Sequence, residues 1–357
     1  MLIGLFLSWW LLVTHGQSPV PAQQKPTNII LVIGDGMGIA QIALTEYLFK
    51  PPSPLARMNI IGLQKTYSAS NLETDSGAAG TAMSCGVKTF NSAIGIGPDS
   101  VPVKSIMELA IAAGLKTGFV VTSSVVHATP AAFYAHVGSR GSYEEIAKQL
   151  TTSGIDVFVG GGEKYFYDRY SDQRNLIQTL EALNYEVIHH IDSPGKFKLG
   201  KIPSEKKIAC FTANEDPLRA TNGRKYLASM VIEVKEALEE RSDKGYFLMV
   251  EGSQIDWAAH ANDQEWLALE MQDTYDMLDQ LMEHIGPDEN TLLIVTADHE
   301  TGYMSLKGKR VPRVEFNSKV HSSQMVPVFA KGPGAEQFLG IYENTEIFEK
   351  MKSLLSL

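Results

Sequence analysis

Apolar and polar residues follow two different patterns along the chain. From residue 28 onward, short runs of β-branched and other apolar residues are separated by longer amphipathic stretches. This pattern is typical of an α/β fold with a central, mostly parallel sheet and helices on both faces. The apolar runs predict eight strands, at residues 28–33, 59–63, 117–123, 156–160, 207–211, 246–250, 291–296 and 326–330.

One amphipathic stretch stands out by its length. Residues 264–285 carry Leu267, Met271, Leu278 and Met282 at helical spacing, which predicts a helix with one buried face. The methionines on this stripe are interpreted as core packing. No repeat or low-complexity linker interrupts the series of strands and helices.

Length and charge narrow the range of functions. The 357 residues are 44% hydrophobic and 20% charged, an ordinary globular mixture with enough length for a large core. The net charge of −10 argues against recognition of nucleic acid. An anionic substrate would therefore need local positive charge, which metal ions could supply.

The first residues form a short apolar segment. Residues 2–13 are almost all apolar, and polar and Pro-containing sequence follows up to residue 24. A bilayer span needs roughly 20 apolar residues, so this run predicts a signal peptide at residues 1–22 rather than a stable membrane span. The segment lacks Lys and Arg, and an uncleaved membrane anchor is the alternative. Cleavage near Gly16 or Ala22 would export residues 23–357 to the periplasm or outside the cell.

The chain has two cysteines, Cys85 and Cys210. A disulfide between them would be compatible with export, but Cys85 lies within a run of small residues predicted to be a packed helix. A buried free thiol is the preferred interpretation. Any metal site must use Asp, Glu, His and hydroxyl ligands, because no cysteine-rich spacing exists.

The run T-D-S-G-A-A-G-T-A-M-S-C-G at 74–86 places Ser76 at the start of that helix. A helix start gathers unpaired backbone N–H groups and the positive end of the macrodipole, so it favours phosphate or a developing oxyanion. The structural alternative is an Asp-Ser cap on a core helix.

Acidic and imidazole side chains follow several predicted strands, where open α/β sheets build their sites. Asp35 lies in G-D-G-M-G directly after the first strand, Glu251 ends the strand at 246–250, and Asp298-His299 follow the strand at 291–296. Asp256 and His260 are spaced to share one helix face, so they could bind one cation with His321 from a distant loop.

Taken together, these motifs resemble the alkaline phosphatase family from residue 28 to about residue 349. They occur in the family's order: G-D-G-M-G at 34–38, T-D-S-G at 74–77, S-C-G-V-K-T-F-N at 84–91, H-A-T-P-A-A at 127–132, A-H-V-G-S-R at 135–140, V-E-G-S-Q-I-D at 250–256, H-A-N-D at 260–263, T-A-D-H-E-T-G at 296–302 and V-P-V-F-A-K-G-P-G-A at 326–335.

The resemblance implies a catalytic domain over residues 23–357, a homodimer, and two zinc ions and one magnesium ion per subunit. It implies that Ser76 is the phosphorylated nucleophile and that Arg140 clamps the phosphate, with the backbone N–H of Gly77 placed to assist. The ligand sets it implies are Asp256, His260 and His321 for one zinc, Asp35, Asp298 and His299 for the other, and Asp35, Thr129 and Glu251 for magnesium.

Three features depart from the best-known bacterial pattern. His127 stands where some members have Asp, and the resemblance implies that it lies in the outer shell of the magnesium site. Trp257 stands where others have Lys or His, which removes a charge beside the phosphate and predicts weaker product binding. The segment at 300–319 is short for a place where family members carry an extra subdomain.

Hydrolysis of small phosphate monoesters is therefore the predicted function. A related two-metal phosphodiesterase or sulfatase would share the zinc ligands, but Thr129, Glu251 and Arg140 suit a dianionic phosphoryl group. A non-catalytic phosphate-binding protein is the third hypothesis, and no apparent loss of a ligand supports it.

Overall fold

A computed structural model describes residues 25–49, 53–189, 199–287 and 290–357. The predicted signal peptide at 1–22 lies outside these residues. Among the described residues, no helix combines the length and the apolar character needed to cross a membrane.

The strands of the described chain alternate with helices, as the apolar pattern predicts. They are β1 (Asn28–Gly34), β2 (Ile60–Lys65), β3 (Lys116–Ser124), β4 (Val157–Gly161), β5 (Tyr185–His189), β6 (Lys207–Phe211), β7 (Tyr246–Gly252), β8 (Thr291–Ala297), β9 (Glu300–Thr301), β10 (Ser305–Lys307), β11 (Arg313–Glu315), β12 (His321–Ser322), β13 (Val326–Lys331) and β14 (Gly340–Glu343).

Ten of these strands form one sheet in the order β14-β2-β13-β8-β1-β7-β3-β4-β6-β5. All neighbouring pairs are parallel except the two that involve β13, which runs antiparallel to both β2 and β8. The carboxyl ends of the central strands β8, β1, β7 and β3 therefore meet at one edge of the sheet.

Helices cover both faces of the sheet. They are α1 (Ile39–Leu48), α2 (Ser76–Cys85), α3 (Ile106–Ala113), α4 (Ala128–Ala131), α5 (Tyr143–Thr152), α6 (Lys164–Tyr167), α7 (Leu176–Ala182), α8 (Leu227–Glu240), α9 (Gln254–His260), α10 (Gln264–Ile285) and α11 (Thr345–Leu354).

Successive residues of β1 point into two different cores, as the two-residue period of a strand requires. Ile29, Leu31 and Ile33 join the core under α2, α3, α5 and α11. Ile30 and Val32 join the core under α1, α8 and α10. Because β1 is buried on both faces, its sequence is continuously apolar instead of alternating.

All eight predicted strands are confirmed, and the helix at 264–285 ends at the predicted residues. The pattern missed two strands of the main sheet, β5 and β14, which lie at its two edges. Edge strands are half exposed and carry polar residues, so they lack a continuous apolar run. Between β9 and β12 the structure has only the β10–β11 hairpin, consistent with a reduced subdomain.

Both cysteines are buried and free, which confirms the preferred interpretation of Cys85. Burial raises the pKa of each thiol to about 12. Both side chains are therefore uncharged near neutral pH.

Candidate active site

Ser76 is the first residue of α2, and local sequence explains why the helix starts there. The preceding Asp75 has extended backbone geometry, and its carboxylate accepts a hydrogen bond from the Ala78 N–H, as an N-cap does. All ten residues of α2 are buried. Small side chains permit this, since a Cβ on Gly80 would lie 3.0 Å from the Cβ of Ala132 beside α4.

The sheet brings three carboxylates to the same edge. Gly34 pairs with both Gly252 and Ala297, so Asp35 and Asp298 each follow directly after paired positions. Glu251 lies one residue earlier, opposite Ile33. All three acidic side chains are fully buried.

One group of potential ligands lies beside Ser76 and consists of Asp35, Asp298 and His299. His299 Nε2 is 3.4 Å from Ser76 Oγ, 3.1 Å from Asp298 Oδ2 and 3.6 Å from Asp35 Oδ1. The backbone N–H groups of Gly36 and His299 donate to Asp298 Oδ1. Gly36 has a φ of 70°, and a Cβ there would lie 3.0 Å from the Cα of Asp256, so glycine is needed for this close approach.

A second group contains Asp256, His260 and His321. The two histidine Nε2 atoms face each other at 3.0 Å, and they lie 3.3 and 3.5 Å from the Asp256 carboxylate. Their Nδ1 atoms donate to the backbone carbonyls of Lys319 and Thr74, which leaves the Nε2 lone pairs available for a cation. His299 lies beside His321, with its ring stacked on that of His321 at 3.5 Å, and the ligand atoms of Asp256, His299 and His321 all lie within 4.8 Å of one another.

A third group contains Asp35, Glu251 and His127. The resemblance places His127 in an outer shell, but one of its ring nitrogens lies within 4.8 Å of ligand atoms on both carboxylates. Thr129 Oγ1 and His127 Nδ1 are buried without a hydrogen-bond partner among the described residues. Burial, with a further effect of Arg140, lowers the pKa of His127 to about 3, so its ring is neutral and can act as a ligand.

The donor set of these groups fits divalent cations. Both oxygens of Asp35, Asp298 Oδ2 and Glu251 Oε1 are buried without a hydrogen-bond donor in the described chain. Burial and the Asp298 carboxylate raise the pKa of Asp35 well above its usual range, and burial raises the pKa of Glu251 to about 7. Buried, unpaired carboxylates are costly, and coordinated cations would remove that cost.

Arg140 lies close to Ser76 through the cap of its helix. Its guanidinium donates to Asp75 Oδ2 at 2.9 Å and lies 3.4 Å from His127 Nε2. Trp257 packs edge-on against the His127 ring, with ring centroids 5.6 Å apart. Gly77, in the first turn of α2, is buried with Ser76. The structure thus brings together all of the sequence-predicted site residues around one edge of the sheet.

Sequence reasoning missed two supporting residues. Thr301 donates its hydroxyl to Asp256 Oδ1 at 2.5 Å and lies 3.2 Å from His299 Nδ1, so it connects two ligand groups. Ser253 donates to Glu251 Oε2 at 2.6 Å. Both residues lie inside quoted motifs, D-H-E-T-G and E-G-S-Q-I-D, but their contacts depend on the packing of separate strands.

Comparison with known proteins identifies the family. A family model described as alkaline phosphatase matches residues 26–315 and 304–357. Alkaline phosphatase 4 of Bacillus subtilis is 33% identical over 350 residues, covering 92% of this chain and 74% of that protein. The Escherichia coli K12 alkaline phosphatase is 30% identical over 410 residues, covering 93% and 87%.

Solved structures agree. The alkaline phosphatase from the Antarctic bacterium TAB5 has a TM-score of 0.89 and 39% identity, covering 94% of this chain and 99% of that chain. A histidine-to-glutamate variant of the TAB5 enzyme, at 38% identity and with the same TM-score and coverage, has Mg bound in its M3 site. This chain belongs to the alkaline phosphatase family.

Proposed function

We propose that this phosphatase hydrolyses phosphate monoesters through a phosphoserine at Ser76. The observation that carries the proposal is the position of Ser76 Oγ, at a helix N-terminus and 3.4 Å from His299 Nε2 within a cluster of unpaired carboxylates. Ser76 Oγ attacks phosphorus as the bond to the leaving oxygen breaks, and the alcohol departs with a proton. Water then attacks the phosphoserine, which releases inorganic phosphate and restores the hydroxyl.

The three ligand groups would hold two zinc ions and one magnesium ion. Asp256, His260 and His321 would bind one zinc, and Asp35, Asp298 and His299 the other. Asp35, Thr129 and Glu251 would bind magnesium, with His127 at the same position. Cations in these positions would lower the pKa of the serine hydroxyl and of water, and they would balance the charge of the phosphoryl oxygens.

The protein itself orients the phosphoryl group. Asp75 holds the Arg140 guanidinium at the start of α2, where it can make two parallel hydrogen bonds to phosphate oxygens. In the first turn of α2 the Asp75 cap uses the Ala78 N–H, and the Gly77 N–H, one residue earlier, would add a further donor for the phosphate oxygens. This arrangement suits a phosphoryl group with three free oxygens better than a diester.

The test is hydrolysis of an aryl phosphate and of the matching bis-aryl diester, with zinc and magnesium supplied. We expect turnover of the monoester, loss of that turnover on chelation, and a fall of at least about a thousandfold in Ser76→Ala. Ser84→Ala, in the same helix, is the control and should retain activity. Faster hydrolysis of the diester, or full activity of Ser76→Ala, would contradict the proposal.

The mature protein is proposed to be residues 23–357, exported and homodimeric. An exposed apolar surface supports dimerisation: Ile61 and Ile341 are 53% and 61% exposed, and the pairing of Ile341 with Leu63 puts them on the same face of β2 and β14. Sedimentation should show a dimer that Ile61→Glu/Ile341→Glu dissociates and the control Leu183→Glu does not. Intact mass of the exported protein would give the cleavage position.

A further inference from the structure

A positively charged hairpin connects two short strands, β9 and β12, that carry residues of the active site. Residues 305–319, here called the basic hairpin, contain five basic residues and one acidic residue, a net charge of +4 in a chain of net charge −10. All five basic residues are exposed: Lys307, Lys309, Arg310, Arg313 and Lys319.

The hairpin is anchored on one face and charged on the other. Leu306 pairs with Val314, and both pack on the core beneath α1 and α10. The Val314 N–H donates to Gln264 at the start of α10. Lys307 pairs directly with Arg313 on the outer face, and like charges in directly opposed positions are destabilising.

Little compensates this charge. Lys307 forms an ion pair with Glu315 at 2.6 Å. In the part of the chain that the structure describes, Lys309, Arg310, Arg313 and Lys319 form no ion pair with a carboxylate within 4.0 Å. Unbalanced cations that also oppose one another indicate a surface for an anionic ligand.

The hairpin begins and ends at the catalytic centre. Thr301, which contacts Asp256, pairs with the ligand His321 across the base of the hairpin. The Lys319 carbonyl accepts the hydrogen bond from His260 Nδ1. Each residue of an extended strand adds about 3.4 Å, so the tip lies roughly 10 Å or more beyond the base.

The tip and α1 line an open cavity of about 340 Å³. Its lining combines the aromatic ring of Tyr47, which is 71% exposed, with Lys307, Lys309 and Arg310. Gly308 shapes the turn with a φ of 136°, where a Cβ would lie 2.3 Å from the Val311 carbonyl oxygen. Cationic side chains beside an exposed aromatic ring are the usual means of holding a single-stranded nucleic acid, by phosphate contacts and base stacking.

We propose that the basic hairpin binds the chain of single-stranded oligonucleotides whose terminal phosphate monoester is hydrolysed at Ser76. The proposal rests on the proposed function and departs from the prediction that net charge made, because the average over the whole chain conceals this local surface. Short substrates end before they reach the tip of the hairpin, so only longer chains gain from it.

The experiment compares an aryl phosphate with 5′-phosphorylated oligothymidylates of one to eight nucleotides. In wild type we expect kcat/KM to rise with chain length. In Lys309→Gln/Arg310→Gln we expect that rise to fall by about tenfold at low salt, with aryl phosphate turnover unchanged. The slope of log kcat/KM against log salt concentration for the longest chain should become less steep by about 1.4, at ~0.7 for each lost phosphate contact.

Two further variants sharpen the test. Lys244→Gln/Lys331→Gln removes the same charge from the opposite edge of the sheet, near the starts of β7 and β8, and should leave the length dependence intact. Tyr47→Ala should reduce the gain from chain length, whereas Tyr47→Phe should retain it.

Three results would overturn the proposal while aryl phosphate turnover persists: no dependence on chain length, an equal loss in the two double variants, or binding of anionic lipid vesicles without any effect of the oligonucleotide chain. Absence of aryl phosphate turnover in wild type would instead reject the proposed function.

Discussion

At the scale of single residues, the site depends on which ring nitrogen of each histidine carries the proton. His260 and His321 donate from Nδ1 to backbone carbonyls. The Thr301 hydroxyl donates to Asp256, so its oxygen can accept a hydrogen bond from His299 Nδ1. All three Nε2 atoms are then available to cations.

Thr301→Val should therefore weaken metal binding without unfolding the protein. The loss of the hydroxyl releases both Asp256 and His299, and loss of such a supporting contact typically costs 10- to 100-fold in metal affinity, so we expect a change of about that size. Competition with a zinc chelator measures it. Thr152→Val, an exposed threonine on α5, is the control, and equal affinity in the two variants would contradict this role of Thr301.

At the scale of elements, caps and strand ends fix where helices begin. α3 starts with a capping box in which the Ser105 side chain accepts from the Glu108 N–H and Glu108 accepts from the Ser105 N–H. Glu108 also receives a hydrogen bond from His136, whose Nδ1 donates to the Gly95 carbonyl. One carboxylate thus joins α3 to the segment that precedes Arg140.

This pair predicts a pH-dependent stability. The Glu108 hydrogen bond raises the pKa of His136. The contribution of His136 to the free energy of unfolding is therefore complete below the unfolded histidine pKa of about 6.5, and it is lost as pH rises through the raised pKa. Burial acts to raise the pKa of Glu108, but the hydrogen bond from His136 lowers it overall. The contribution of Glu108 to the free energy of unfolding is therefore lost as pH falls through the lowered pKa.

Glu108→Gln keeps the capping contacts but removes the charge. We expect it to reduce the free energy of unfolding by about 1 kcal/mol near pH 6 and by clearly less at pH 9. Urea unfolding at the two pH values measures the difference, with the exposed Glu181→Gln as control. A reduction that is the same at both pH values would contradict a charged pair.

At the scale of the whole molecule, the sheet holds together carboxylates that repel one another without cations. Asp35 and Asp298 follow adjacent strands, and burial with this repulsion raises the pKa of Asp35. The contribution of such a group to the free energy of unfolding is complete below the unfolded Asp pKa of about 3.9, and it is lost as pH rises through the pKa of the folded state. The metal-free protein should consequently gain stability between pH 8 and pH 5.

Asp35→Asn should stabilise the metal-free protein by about 1 to 3 kcal/mol at pH 8 while it abolishes hydrolysis. Chelated wild type and variant are compared by urea unfolding, with the exposed Asp243→Asn as control. Lower stability of metal-free Asp35→Asn at pH 8 would show that Asp35 makes a favourable contact of its own there.

The sequence by itself determined the buried strands and the set of candidate site residues. Apolar runs identified the eight buried strands, because a strand covered on both faces must be apolar throughout. The order of the motifs identified the family and provided the candidate ligands from Asp35 to His321. The two edge strands β5 and β14 were not predicted, because half-exposed strands carry no continuous apolar run.

Only the tertiary structure decided which of these residues meet. Residues 256, 299 and 321 lie far apart in the chain and converge because β7 and β8 flank β1 and the β9–β12 pair returns His321 to the same edge. The position of His127 beside Asp35 and Glu251, and the double contact of Thr301, depend on strand order and side-chain packing. Neither can be read from residue spacing, since contacts between distant segments are set by the fold as a whole.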